Sequence, residues 1–307
     1  MANLTETDAD IVPDSERRGL IGRLPAPVRP YASLMRLDRP IGAWLLFWPG
    51  AWAVALAGFG RHGLALLLWL ALGAFAMRSA GCVYNDIVDR DLDAKVERTR
   101  LRPLASGRVP LAGAWALLVA LSLIGLVVLL QLGRLAQIVA LASLVLVAAY
   151  PFMKRVTWWP QAWLGLVFSW AALVGWAAAT GELGLSAFLL YAGSVAWVIG
   201  YDTIYALQDK EDDALVGVKS SALALGRHAR AGIAFFYLIA FLLWAVAVWR
   251  ERPDGLALVA LLPMAIHLLW QVAGLRPDDS ADALARFRSN RFAGLLVAAA
   301  CLVVGNA

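Results

Sequence analysis

Nine apolar stretches, each close to the length that crosses a bilayer, divide this 307-residue chain. They run at about 41–60, 63–84, 112–132, 135–152, 160–180, 184–206, 231–249, 255–273 and 292–306, the last being the shortest. A membrane helix needs about 20 mostly apolar residues to cover about 30 Å of hydrocarbon. Hydrophobic residues make up 61% of the chain and charged residues 16%, against about 45–50% and about 25% in an ordinary soluble domain. This composition excludes a disordered chain, a collagen and a disulfide scaffold, and it argues against a cytosolic enzyme. The expected fold is all-α: a polytopic membrane protein of about nine transmembrane helices.

The charges between the stretches predict orientation. With the N-terminus inside, only Arg61, Arg134, Arg250 and Arg252 lie on the far face, and Arg78 lies within the second stretch. The rest of the 27 Lys and Arg fall in the tail and in the loops after stretches two, four, six and eight. That asymmetry predicts N-in and C-out. Residues 1–30 carry Glu6, Asp8, Asp10, Asp14 and Glu16. They read as an acidic cytoplasmic tail rather than a signal or transit peptide. Residues 31–307 are expected to form one transmembrane domain. The formal net charge of +5 follows from this topology, and no basic stripe interleaved with aromatics points to nucleic acid. Cys82 and Cys301 both lie in apolar stretches and read as small buried hydrophobes.

Ten of the 22 acidic residues sit at two places, where the second and the sixth stretches leave the bilayer. The first holds Asp86, Asp89, Asp91, Asp93 and Glu97; the second holds Asp202, Asp209, Glu211, Asp212 and Asp213. On a helix, Asn85/Asp86, Asp89 and Asp93 share one face, and so do Asp202, Asp209 and Asp213, with Tyr205 among them. Stacked carboxylates at a hydrocarbon edge repel one another and are costly to desolvate. A hard divalent cation removes that cost. Mg²⁺ takes a few carboxylates and fills its remaining positions with water and phosphate oxygens. Two such stripes therefore suggest a site for a Mg²⁺-bound diphosphate.

Basic residues follow the acids: Lys95, Arg98, Arg100 and Arg102 after the first cluster, and Lys154 and Arg155 after the fourth stretch. Such groups can hold a diphosphate and stabilise it as a leaving group. Arg78 lies two turns before Asn85, on the same face. An arginine inside a membrane helix should face the protein interior. It either pairs with an acid or binds a carboxylate substrate, which suits its planar fork.

These strings resemble the UbiA-type intramembrane aromatic prenyltransferases. That family's first motif, Asn-Asp-x-x-Asp-x-x-x-Asp, is met by Asn85, Asp86, Asp89 and Asp93, and its second, Asp-x-x-x-Asp, by Asp209 and Asp213. Leu34 to Gly42, Met77 to Cys82, Tyr150 to Arg155 and Tyr201 to Ala206 are similar to the 4-hydroxybenzoate polyprenyltransferase branch. The resemblance covers residues 31–230 in detail. It implies helices around a central cavity, in a bacterial inner membrane, with the active site facing the cytoplasm. It implies transfer of a polyprenyl group from polyprenyl diphosphate to the carbon ortho to the hydroxyl of 4-hydroxybenzoate, in ubiquinone biosynthesis.

Residue by residue, the resemblance implies Mg²⁺ on Asp86, Asp89, Asp93, Asp209 and Asp213. Arg78 would hold the benzoate carboxylate. Lys154, Arg155 and Arg98 would hold the diphosphate, with Asn85 and Tyr205 completing the substrate contacts. Asp202 is the expected base for the ring proton. Two rivals remain open: a relative with a different acceptor, such as a menaquinone, haem or chlorophyll precursor, and a membrane transporter with an acidic cation site.

Overall fold

A computed structural model describes residues 21–95, 99–210, 214 and 217–306, apart from the side chain of Asp209. Among the described residues every regular element is helical. The α-helices are α1 (Arg29–Leu34), α2 (Ile41–Leu56), α3 (Gly63–Asp93), α4 (Leu111–Leu130), α5 (Arg134–Val156) and α6 (Pro160–Thr180). They continue with α7 (Leu185–Ala206), α8 (Ser221–Leu225), α9 (Ala229–Glu251), α10 (Gly255–Val259), α11 (Leu262–Ala273) and α12 (Ser280–Asn306).

Eight spans among the described residues are long and apolar enough to cross a membrane, and the apolar α2 adds a shorter ninth. Several boundaries differ from the sequence reading, α3 running on from 84 to Asp93 among them. The first stretch stops at Leu56, just before Gly58 takes a left-handed φ of 85°. The eighth breaks into α10 and α11, because Pro263 lacks a donor and begins a new first turn. The last extends back to Ser280 and is 27 residues long, ample for a crossing.

The chain divides into two compact units: residues up to 43 with 72–128, and residues 44–71 with 129–307. In the first, Leu34, Ala80, Val83, Leu104, Val109, Ala114 and Leu121 form the core, with Tyr31, Met35, Met77 and Ile87 packed against it. This cluster fastens α1, the inner face of α3, the segment after α3 and the start of α4 into one body.

In the second unit, α6 and α9 both pack against α7. Its centre is aromatic. Trp52, Trp197 and Trp244 are fully buried, with ring centroids 5.1 to 6.0 Å apart. One buried polar network there is closed by hydrogen bonds. Trp197 Nε1 donates to Asn290 Oδ1 at 2.9 Å, Gln271 Nε2 donates to the same oxygen at 3.1 Å, and Tyr237 Oη donates to Gln271 Oε1 at 2.7 Å. The outer faces of α4 and α5 expose Val119, Leu123, Val127, Ile138, Leu141 and Val145. Such surfaces are costly in water and neutral in lipid. The chain is a multi-span integral membrane protein.

Candidate active site

Helix α3 has 31 residues, so at ~1.5 Å per residue it outruns the hydrocarbon and carries its acidic end beyond it. The steps of three and four put Asp86, Asp89 and Asp93 on one face. That face is turned inward: the three are 1%, 0% and 4% exposed, while Arg90 and Asp91 between them are exposed and Asn85 is half-buried.

Buried carboxylates need partners. Arg36 Nη2 donates to both oxygens of Asp86, at 2.8 and 2.9 Å. Arg102 Nη1 lies 3.3 Å from Asp86 Oδ1 and 2.8 Å from Asp93 Oδ2. Thr99 Oγ1 donates to the Asp93 carbonyl at 2.9 Å, which ties the following segment to the end of α3. Burial disfavours the charge on Arg36, but the Asp86 carboxylate against it more than offsets this and holds the guanidinium above its ordinary pKa.

Arg78 sits two turns earlier on α3. Its Nη1 donates to Cys82 Sγ one turn on. Its guanidinium lies against Gly42 at the start of α2, where a Cβ would come within 3.0 Å of Nη2 and closer still to Nε. A side chain at position 42 would make the guanidinium shift.

In the second unit, Asp202 lies half-buried on the last turns of α7, and Tyr205 packs on Phe287 with centroids 4.5 Å apart. The neighbouring Thr203 Oγ1 meets Ser221 Oγ at 2.7 Å, and the Ser221 N–H donates to Gln161 Oε1 at 3.0 Å. These bonds fix the end of α7 to the starts of α6 and α8. Lys154 and Arg155 occupy the last turn of α5. Lys219 joins them: its N–H donates to the Lys154 carbonyl at 3.4 Å and its Nζ to the Val156 carbonyl at 3.3 Å. Arg98 and Asp213 lie outside the described residues, as does the side chain of Asp209, whose backbone ends a short 3-10 turn after α7.

Sequence reasoning missed Arg36 and Lys219. Both were counted as basic residues near a membrane face. What distinguishes them is a partner, 50 residues away for Arg36 and 63 for Lys219, and spacing along one helix does not reveal such partners. Arg102 was grouped with its neighbours for the same reason.

The residues present suit Mg²⁺. Asp89 and Asp93 offer desolvated hard oxygens on one helix face, the donor type this ion takes. Among the described residues, no group of three His, Cys, Asp or Glu side chains converges to hold a metal. Two carboxylates with phosphate oxygens and water are the arrangement expected for an ion that keeps part of its hydration.

The long α3, with its buried acidic face, is the feature around which the candidate site is built. The chain belongs to the UbiA prenyltransferase family, whose model matches residues 46–298. It is 44% identical over 290 residues to the mitochondrial 4-hydroxybenzoate polyprenyltransferase of Drosophila pseudoobscura pseudoobscura, covering 93% of this chain and 73% of that one. It is 39% identical to the 4-hydroxybenzoate octaprenyltransferase of Tolumonas auensis, over 91% and 98% of the two chains. Among solved structures, a UbiA homolog from Aeropyrum pernix K1 superposes with a TM-score of 0.72 at 28% identity, covering 85% of this chain and 97% of that one.

Proposed function

We propose that this protein transfers a polyprenyl group from polyprenyl diphosphate to the ring carbon ortho to the hydroxyl of 4-hydroxybenzoate, a step of ubiquinone biosynthesis. The observation that carries this reading is the 44% identity to a 4-hydroxybenzoate polyprenyltransferase in a chain that keeps a buried acidic face on α3. Asp89, Asp93, Asp209 and Asp213 would hold Mg²⁺, and the ion would supply Lewis-acid stabilisation of charge on the departing diphosphate.

The chain's own residues supply the rest. Lys154 and Arg155 at the end of α5, with Arg98, bind the diphosphate and take up negative charge as the allylic C–O bond breaks. Arg78 holds the acceptor's carboxylate with its planar fork, and Asn85 and Tyr205 complete the substrate contacts. The ring carbon forms the new C–C bond, the C–O electron pair leaves with the diphosphate, and Asp202 accepts the displaced ring proton. The lipid bilayer holds the donor's tail. The basic loops support a site on the cytoplasmic side of what we take to be a bacterial inner membrane.

The test is a defined assay with purified protein, 4-hydroxybenzoate, geranyl diphosphate and Mg²⁺. The expected product is geranylated 4-hydroxybenzoate, absent when chelator is added. No product from 4-hydroxybenzoate, with turnover of another aromatic acceptor, would refute this acceptor. No turnover of any prenyl diphosphate would refute the reaction.

A further inference from the structure

Asp86 stands first in the acidic face of α3, and the resemblance to the family's first motif reads it as a metal ligand. Its surroundings give it a different task. A carboxylate offers about four lone-pair positions. Asp86 has both oxygens taken by Arg36, at 2.8 and 2.9 Å, and a further contact to Arg102 at 3.3 Å. It is 1% exposed. Little capacity is left for an ion.

Arg36 shows the same commitment from the other side. Among the described residues it is the only non-glycine with positive φ, at 59°. A left-handed arginine is strained, and such a backbone persists where its surroundings over-determine it. Here Nη1 donates to the Ser33 carbonyl at 3.2 Å while Nη2 grips Asp86. The strained backbone just after α1 and the two-point side chain serve one contact. Asp89 and Asp93 follow Asp86 by one and two turns on the same face, and Arg102 links Asp86 directly to Asp93.

We propose that Asp86 is not a magnesium ligand but the anchor through which Arg36 fixes the acidic face of α3, making Arg36 a positioning residue for Asp89 and Asp93. This rests on the reading of α3 as a metal-binding helix. The first motif then holds two kinds of aspartate. Asp86 has both oxygens held by Arg36, whereas Asp93 meets an arginine through Oδ2 alone, and Asp89 and Asp93 serve the metal.

The two roles give opposite signs in a Mn²⁺ titration of the purified full chain, followed by electron paramagnetic resonance without substrate. If Asp86 is an anchor, Arg36→Gln and Asp86→Asn each weaken Mn²⁺ binding by about ten-fold, as loss of an outer partner does. The double variant R36Q/D86N is then no weaker than the weaker single, because both act through one contact. Arg36→Lys, which keeps the charge without the fork, falls between wild type and Arg36→Gln, and it keeps the test usable if a neutral variant fails to fold. If Asp86 were a ligand, Arg36→Gln would remove a competing cation. Affinity that rises or stays unchanged in Arg36→Gln overturns the proposal. Asp89→Asn separates this failure from failure of the underlying reading: it should abolish binding, and wild-type affinity in that variant would end the metal assignment itself.

Discussion

Arg78 depends on an atom that is missing. Gly42 leaves open the space its guanidinium fills, and a single methyl group there would press on Nε and Nη2. Gly42→Ala should therefore reproduce Arg78→Ala without touching a charge. Steady-state kinetics should show the KM for 4-hydroxybenzoate rising by roughly ten-fold, the cost of about 1.4 kcal/mol of lost binding, with the KM for the prenyl diphosphate little changed. Equal increases in both would make Arg78 a structural arginine. At this scale much of the site was legible. An arginine within an apolar stretch and acids at steps of three and four are patterns along one helix, and α3 places them as its period demands. Arg36, Arg102 and Lys219 were not legible as individuals, because each is defined by a partner from another element. The left-handed backbone of Arg36 has no signature in composition at all.

Among the helices, termini decide what the pattern of apolar residues leaves open. The end of α11 is held by Arg286 of α12, which donates to the carbonyls of Trp270, Gln271 and Gly274 at 2.7, 3.1 and 2.6 Å and pairs with Asp282 at 2.8 Å. Its guanidinium also lies 4.7 Å from the Trp270 ring centroid. Arg286→Ala would leave those carbonyls without that donor at a buried helix end, where each unsatisfied group costs about 1–3 kcal/mol. Thermal unfolding in detergent should show a Tm several degrees lower, with Arg286→Lys recovering part. An unchanged Tm would mean that water satisfies the carbonyls. The sequence read Arg286 as a loop charge because the apolar stretch begins only at 292, whereas the helix starts at Ser280. Gln161 is a second case. Its Oε1 receives the Ser221 N–H in a buried site, so Gln161→Leu should destabilise the junction that fixes the end of α7. The expected result is reduced turnover at unchanged expression, and full activity would show that the junction does not support Asp202.

For the whole chain, hydrophobicity sets the number of crossings and the loop charges predict their direction. The count of about nine was legible because crossing length and apolar run length are the same quantity. The interruption at Pro263 and the early end of α2 were not, because both depend on local backbone geometry inside a continuous apolar run. Orientation has a direct check. In a chain whose own cysteines are replaced, Ser106→Cys should react with an impermeant maleimide only from the cytoplasmic side, and Arg134→Cys only from the opposite side. Labelling of both from one side would overturn the topology and the placement of the acidic loops.

The central claim is magnesium-assisted prenyl transfer to 4-hydroxybenzoate on the two aspartate motifs. Purified protein should form geranylated 4-hydroxybenzoate from geranyl diphosphate with Mg²⁺. It should lose that activity on chelation and regain it when Mg²⁺ is restored, while Asp89→Asn and Asp209→Asn, folded as judged by thermal unfolding, turn over at less than about one-hundredth of the wild-type rate, a loss of ~2.7 kcal/mol of transition-state stabilisation. Near-normal turnover in either variant, or undiminished activity in chelator, would contradict the account.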